Sequence, residues 1–186
     1  MRAERAVEKV RERLLRTCRA LEAGGVPYVV IGGNAVAVWV GSKDEGAVRN
    51  TKDVDVLLNR GDLPRATEVM AAAGFDPAVI DGITMFLDRD DPMPSRGVHV
   101  VFAGEKIKPH DAYPAPQVVK GIRSPEGVDA IQLRELLVLK LIAFRDIDRV
   151  HIRDMLKVGL IDDVVADQIP LELQRRLEEI RANPDG

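Results

Sequence analysis

The chain has 186 residues, 46% of them hydrophobic and 31% charged, with a formal net charge of -3. These values suit one soluble globular domain and exclude a disordered, fibrous or membrane-spanning chain. The slightly acidic balance supplies no global attraction for nucleic acid, and the single cysteine, Cys18, has no partner for an intrachain disulfide.

A reducing, cytoplasmic setting without membrane association is therefore expected. The N-terminus, which alternates Arg and Glu with aliphatics, lacks the continuous apolar segment of an export signal. From Ala3 to Ala23, apolar residues at Val7, Val10, Leu14, Cys18 and Leu21 predict a helix with its charges on the opposite face, ended by Gly24-Gly25. Residues 26–31 then read as a buried strand that stops at Gly32-Gly33, before a small-residue helix over Asn34 to Val40. A polar loop leads to a strand over Asp53 to Leu58, and Asp62 is placed to cap a helix reaching Ala73. Strands follow over Ile80 to Leu87 and Val98 to Phe102, and the proline-bearing stretch from Lys106 to Val119 predicts an extended loop. Helices over Leu133 to Phe144, Val150 to Val158 and Leu171 to Arg181 complete the chain. The expected class is α+β: a single domain over 1–186, with a mixed-sheet core to about residue 130 and a helical C-terminal extension from about 131.

On an extended strand alternate side chains share a face, which would align Arg49, Thr51, Asp53 and Asp55 and leave Val54 and Val56 for the core. Paired carboxylates repel unless a cation lies between them. Magnesium suits such hard oxygen ligands, and two ions roughly 3.5–4 Å apart serve phosphoryl transfer. Gly32-Gly33 complements that site, because backbone without side chains approaches a phosphate closely at a helix N-terminus.

Strand, Gly-Gly, helix, loop and a strand bearing Asp53-Val54-Asp55 form an order that resembles the nucleotidyltransferase superfamily of DNA polymerase β-like enzymes. The likeness is sharpest to the abortive-infection and minimal nucleotidyltransferase group, through Arg49-Asn50-Thr51-Lys52-Asp53-Val54-Asp55 and, downstream, Lys140-Leu141-Ile142-Ala143 with Arg153-Asp154. It implies a nucleotidyltransferase-like mixed sheet flanked by helices. It also implies that Asp53 and Asp55 bind a two-magnesium site and that Gly32, Gly33, Arg49, Thr51 and Lys140 bind the nucleotide, with Arg153-Asp154 a structural ion pair. A third carboxylate belongs on a later strand, but His99 holds that slot. A catalytic base and a hydrogen-bonded sheet-face histidine are both open readings for it, with Glu105 and Asp111 as weaker substitutes.

The expected activity is transfer of a nucleoside monophosphate from a nucleoside triphosphate to a hydroxyl of a protein, RNA or small molecule. The alternative is a degenerate domain that binds nucleotide or a partner protein without turnover, as in a toxin-antitoxin system. His110 and His151 are expected at the surface or on a helix, Trp39 and Cys18 in the core. The arginines and aspartates of residues 145–154 are expected to form local ion pairs.

Overall fold

The computed structural model describes residues 2–184. Helix α1 (Arg2–Ala23) buries Leu14, Cys18 and Leu21 as its stripe requires. Arg13 is buried as well, 3.6 Å from Asp88 and 3.5 Å from Asp91, so the helix does not divide cleanly into apolar and charged faces. Gly25, at φ +66°, turns the chain out of it. There follow β1 (Tyr28–Ile31), α2 (Gly32–Gly41), β2 (Val54–Leu58), α3 (Leu63–Ala72), β3 (Phe75–Ile80), β4 (Ile83–Asp88) and β5 (Val98–Phe102). The second half holds β6 (Lys120–Arg123), β7 (Asp129–Ile131), α4 (Leu133–Ala143), α5 (Asp146–Lys157), α6 (Asp163–Asp167) and α7 (Leu171–Ala182).

The strands form one mixed sheet in the order β3-β4-β5-β2-β1-β7-β6. Strand β1 is antiparallel to β2 and parallel to β7, and β2 is parallel to β5. Helices cover both faces, which is why all four residues of β1 are apolar and buried. Tyr28, Val30, Val54, Val56 and Leu58 pack toward α1 and α3, whereas Val29, Ile31 and Leu57 share a cluster with α2, α4, α5 and α7. Seven consecutive residues of α4, from Leu136 to Ile142, are buried, and α5 adds Ile152 and Met155 to the same cluster. Among the described residues, no helix is long and apolar enough to cross a membrane.

Several expectations are corrected. The strand expected over Ile80 to Leu87 is the return arm of a hairpin. Asp81 and Gly82, at φ +52° and +77°, make the tight turn that Asp-Gly favours. Pro77 is tolerated in β3 because that strand lies at the sheet edge. Strands β6 and β7 and helix α6 have no counterpart in the sequence reading, and α5 begins at Asp146, four residues before the expected Val150. Asp62 does not cap α3; its carboxylate accepts a hydrogen bond from Asn59 instead. The proline-bearing stretch does form a loop, pinned at its neck by Gly104 N–H donating to the Ala115 carbonyl at 2.9 Å and Ala115 N–H donating to that of Glu105 at 2.8 Å.

Truncating Ile152, fully buried in the cluster that α5 shares with α2, α4 and α7, should cost roughly 2–5 kcal/mol. Denaturant unfolding of Ile152→Ala measures this. A loss below about 1 kcal/mol would mean that α5 is not part of the same cooperative core.

Candidate active site

Register brings the acidic strand onto the glycine turn. Ile31, the last residue of β1, pairs with Asp55, and Asp55 pairs on its other side with His99 of the parallel strand β5. The chain beyond Ile31 must therefore pass directly over the Asp55 side chain. Gly32 does so at φ +67°, and a Cβ there would overlap the Asp55 carboxylate. At Gly33 a Cβ would stand 2.8 Å from Thr51 Oγ1. Both positions thus exclude a side chain by close approach, and the first also by its left-handed backbone. Helix α2 starts here, so its free amides border the carboxylates.

The shared strand face expected for Arg49, Thr51, Asp53 and Asp55 is not formed, because β2 begins only at Val54. The preceding residues are gathered by hydrogen bonds. The Thr51 hydroxyl donates to Asp53 Oδ1 at 2.8 Å, and buried Asn34 donates to the Asp53 carbonyl at 2.8 Å. The sequence reading gives Asn34 only as the start of a helix and no role in the site, although it is the lone polar side chain in the run Gly32-Gly33-Asn34-Ala35-Val36-Ala37-Val38. Arg49 turns away toward α5 and forms a forked pair with Asp154, at 2.5 and 3.2 Å. The expected Arg153–Asp154 pair is replaced accordingly: Asp154 takes Arg49, and Arg153 donates to the Asn183 carbonyl at 3.1 Å.

Asp53, Asp55 and His99 each place a ligand atom within 4.8 Å of the others. Two carboxylates and an imidazole converging on one point fit a divalent cation. Glu105 and Asp111 do not join them. Glu105 holds Arg60 through two contacts of 2.6 Å, and Asp111 accepts the Lys108 backbone N–H at 2.8 Å. His99 Nε2 lies 3.0 Å from the Pro94 carbonyl and Nδ1 lies 3.3 Å from Asp55 Oδ1. Since a carbonyl only accepts, Nε2 carries a proton. Nδ1 is then either the second N–H of an imidazolium or a lone pair aimed into the carboxylate cluster. The contact with Asp55 pushes the His99 pKa above its ordinary value against partial burial, with the Pro94 carbonyl and the Asp53 charge adding to the rise.

A cleft of about 570 Å³ opens on this cluster, lined by Gly32, Asp55, His99, Lys140, Arg145 and Asp148 among others. Lys140 is only 4% exposed and donates to Asp148 Oδ1 at 2.9 Å. The acid-base run of α5 is therefore not a set of local pairs only. Asp148 reaches Lys140 on α4, and Asp154 reaches Arg49. His151, between them, is buried beside Gly33, with Nδ1 lacking a hydrogen-bond partner among the described residues. Burial, reinforced by Lys140, lowers the pKa of His151 to about 4. His110 is exposed as expected, and Trp39 packs against the core while donating to the Ile131 carbonyl at 2.9 Å.

No family model matches the sequence, and no curated protein matches it. Among solved structures, the chain is similar to the solution structure of the antibiotic-resistance factor ANT(2'')-Ia, with a TM-score of 0.56 at 14% identity over 90% of each chain. A crystal structure of ANT(2'')-Ia with adenylyl-2''-tobramycin superposes with a TM-score of 0.45 at 13% identity, over 91% of this chain and 93% of that one. The fold, a mixed sheet flanked by helices, is nucleotidyltransferase-like in its likeness to that solution structure.

The two buried-site histidines should titrate in opposite directions from the ordinary value of about 6.5. In the metal-free protein, imidazole NMR signals should place His99 above that value and His151 near 4. Protonated His99 stabilises the fold fully below about pH 6.5, and this gain fades as pH rises through its folded pKa. Neutral His151 acts oppositely, costing stability as pH falls from about 6.5 toward 4. A His99→Gln variant whose stability stays parallel to the parent across the upper window would contradict the His99–Asp55 contact.

Proposed function

We propose that this chain transfers a nucleoside monophosphate from a nucleoside triphosphate to an acceptor hydroxyl, releasing pyrophosphate. The observation that carries the reading is the Asp53–Asp55–His99 cluster set against the Gly32-Gly33 turn at the start of α2. Asp53 and Asp55 would hold magnesium, two ions in the full site, which supplies Lewis-acid neutralisation of the phosphates. The α2 amides and the Gly32-Gly33 backbone would receive phosphate oxygens, with the helix dipole favouring the anion. Thr51 fixes the rotamer of Asp53, and Asn34 fixes the backbone from which it projects. His99, held by the Pro94 carbonyl, offers Nδ1 to the cation or to the acceptor's proton. Arg49 clamps the loop before β2 to α5, and Lys140 adds positive charge to the wall of the cleft. Positioning and electrostatics would supply most of the rate.

A second reading, nucleotide or partner binding without turnover as in a toxin-antitoxin component, is favoured by one feature. His99 brings no negative charge to the place of a third carboxylate, and as an imidazolium beside Asp55 it weakens the attraction for a cation.

Incubating the protein with labelled nucleoside triphosphates, magnesium and candidate hydroxyl acceptors separates the two. Transfer with pyrophosphate release, reduced at least about a thousandfold by Asp53→Ala with Asp55→Ala, is the expected result. Triphosphate binding without any pyrophosphate release establishes the second reading. Transfer that persists in the double variant refutes the assignment of the carboxylates.

A further inference from the structure

We propose that Arg145, which lies outside every motif read from the sequence, is the side chain that meets the nucleotide's phosphates, and that Lys140 acts only through Asp148 to hold it there. The inference rests on the nucleotide-transfer reading of the cleft and names the residue that would recognise the triphosphate.

Two basic side chains of the cleft are already engaged by carboxylates. Lys140 is held at 2.9 Å on Asp148, whose side chain is almost completely enclosed, and moving it toward a ligand would give up that buried pair. Arg60 is spent on Glu105. Asp148 is shared differently, because besides Lys140 it accepts Arg145 Nε at 2.8 Å and the Arg145 backbone N–H at 3.2 Å. Two cations on one carboxylate leave one net positive charge. The buried lysine has no outlet for it, whereas the Arg145 side chain is 63% exposed. Asp148 grips the Nε edge and, at 3.4 Å, Nη2, which leaves Nη1 without a hydrogen-bond partner among the described residues and open to a phosphate oxygen. Arg145 lines the same cleft as Asp55, and Asp148 first, with smaller contributions from Asp55 and Asp53, raises its pKa against the effect of burial.

The backbone is shaped to deliver that side chain. Phe144 joins α4 to α5 at φ +48° and ψ +32°, a left-handed conformation that is costly for a bulky residue. Its ring is stacked by Arg149 and Arg176, with guanidinium carbons 4.3 and 5.0 Å from the centroid. Arg176 also donates to the Leu141 and Ile142 carbonyls at 2.6 and 3.1 Å, closing the end of α4. The strained turn makes Arg145 the N-cap of α5, directly over Asp148.

Binding of magnesium tripolyphosphate, a probe that needs no knowledge of the preferred base, tests this by calorimetry on the full chain. Arg145→Ala should weaken binding about tenfold or more, and Arg145→Lys by less, since lysine keeps the charge but loses the fork on Asp148. Lys140→Met should also weaken it, and adding Lys140→Met to Arg145→Ala should cause no further loss, whereas a merely structural lysine would give additive losses. Thermal melts confirm that each variant is folded, and Arg145→Gln serves if Arg145→Ala is not. Binding unchanged in folded Arg145→Ala but lost in Asp53→Ala with Asp55→Ala overturns this inference and leaves the reading of the site intact. So does a loss that appears only in Lys106→Ala with Lys108→Ala, at the cleft rim. No binding by the parent protein overturns both.

Discussion

The passage of the chain over Asp55 at Gly32 is the constraint on which the rest of the site depends. Pairing of Ile31 with Asp55 leaves no room for a side chain on the next residue, and the left-handed turn there is what aims the first amides of α2 at the carboxylates. Everything else arranges groups around that crossing. Thr51 fills the space above Gly33, Asn34 reaches back to the Asp53 carbonyl, and the parallel neighbour β5 brings His99 to the far side of Asp55. The start of α2, proposed to receive phosphate, and the acid pair, proposed to hold a cation, are thereby two sides of one backbone contact.

Helix α5 is the second organising element. Along one side it offers Asp148 to Lys140 and Arg145, His151 to the Gly33 backbone, and Asp154 to Arg49. Its other contacts, through Ile152 and Met155, tie it to the cluster that includes Ile31 and Leu57 of the sheet. The carboxylates of α5 therefore sit on a rigid support. They convert an apolar packing surface into a fixed row of anions, each matched to a cation from a different part of the chain. Buried pairs of this kind contribute little net stability, because desolvation offsets their attraction; what they supply is position.

The long apolar elements were legible in the sequence because each carries enough periodic residues to outvote local noise, as α1, α4, α7, β1 and β5 show. The short strands β6 and β7 were not. Four and three residues hold too little pattern, and Asp129 is buried only because Lys120 and Arg123 satisfy it from the adjoining strand. The Asp81-Gly82 turn carried a readable hairpin signal that the apolar run through Ile80 concealed. At the site, the Gly-Gly turn and Asp53-Val54-Asp55 were visible because they are contiguous motifs. Arg145 and Asp148 were legible only as local ion-pair residues and Asn34 only as the start of a helix, since Asp148 meets Lys140 8 residues away and Asn34 meets Asp53 19 residues away.

By itself the sequence determined the α+β class, the two motifs and the histidine that stands where a third acid was expected, because alternation, glycine content and residue chemistry are local properties. Tertiary structure alone decided that Gly32 is required by Asp55, that His99 shares the cluster, that Arg49 is drawn to Asp154 and that Lys140 is enclosed while Arg145 is open. The physical reason is that charge acts through space. An aspartate's partner is whichever cation the sheet register and helix packing bring within about 3 Å, and spacing along the chain carries no record of that distance.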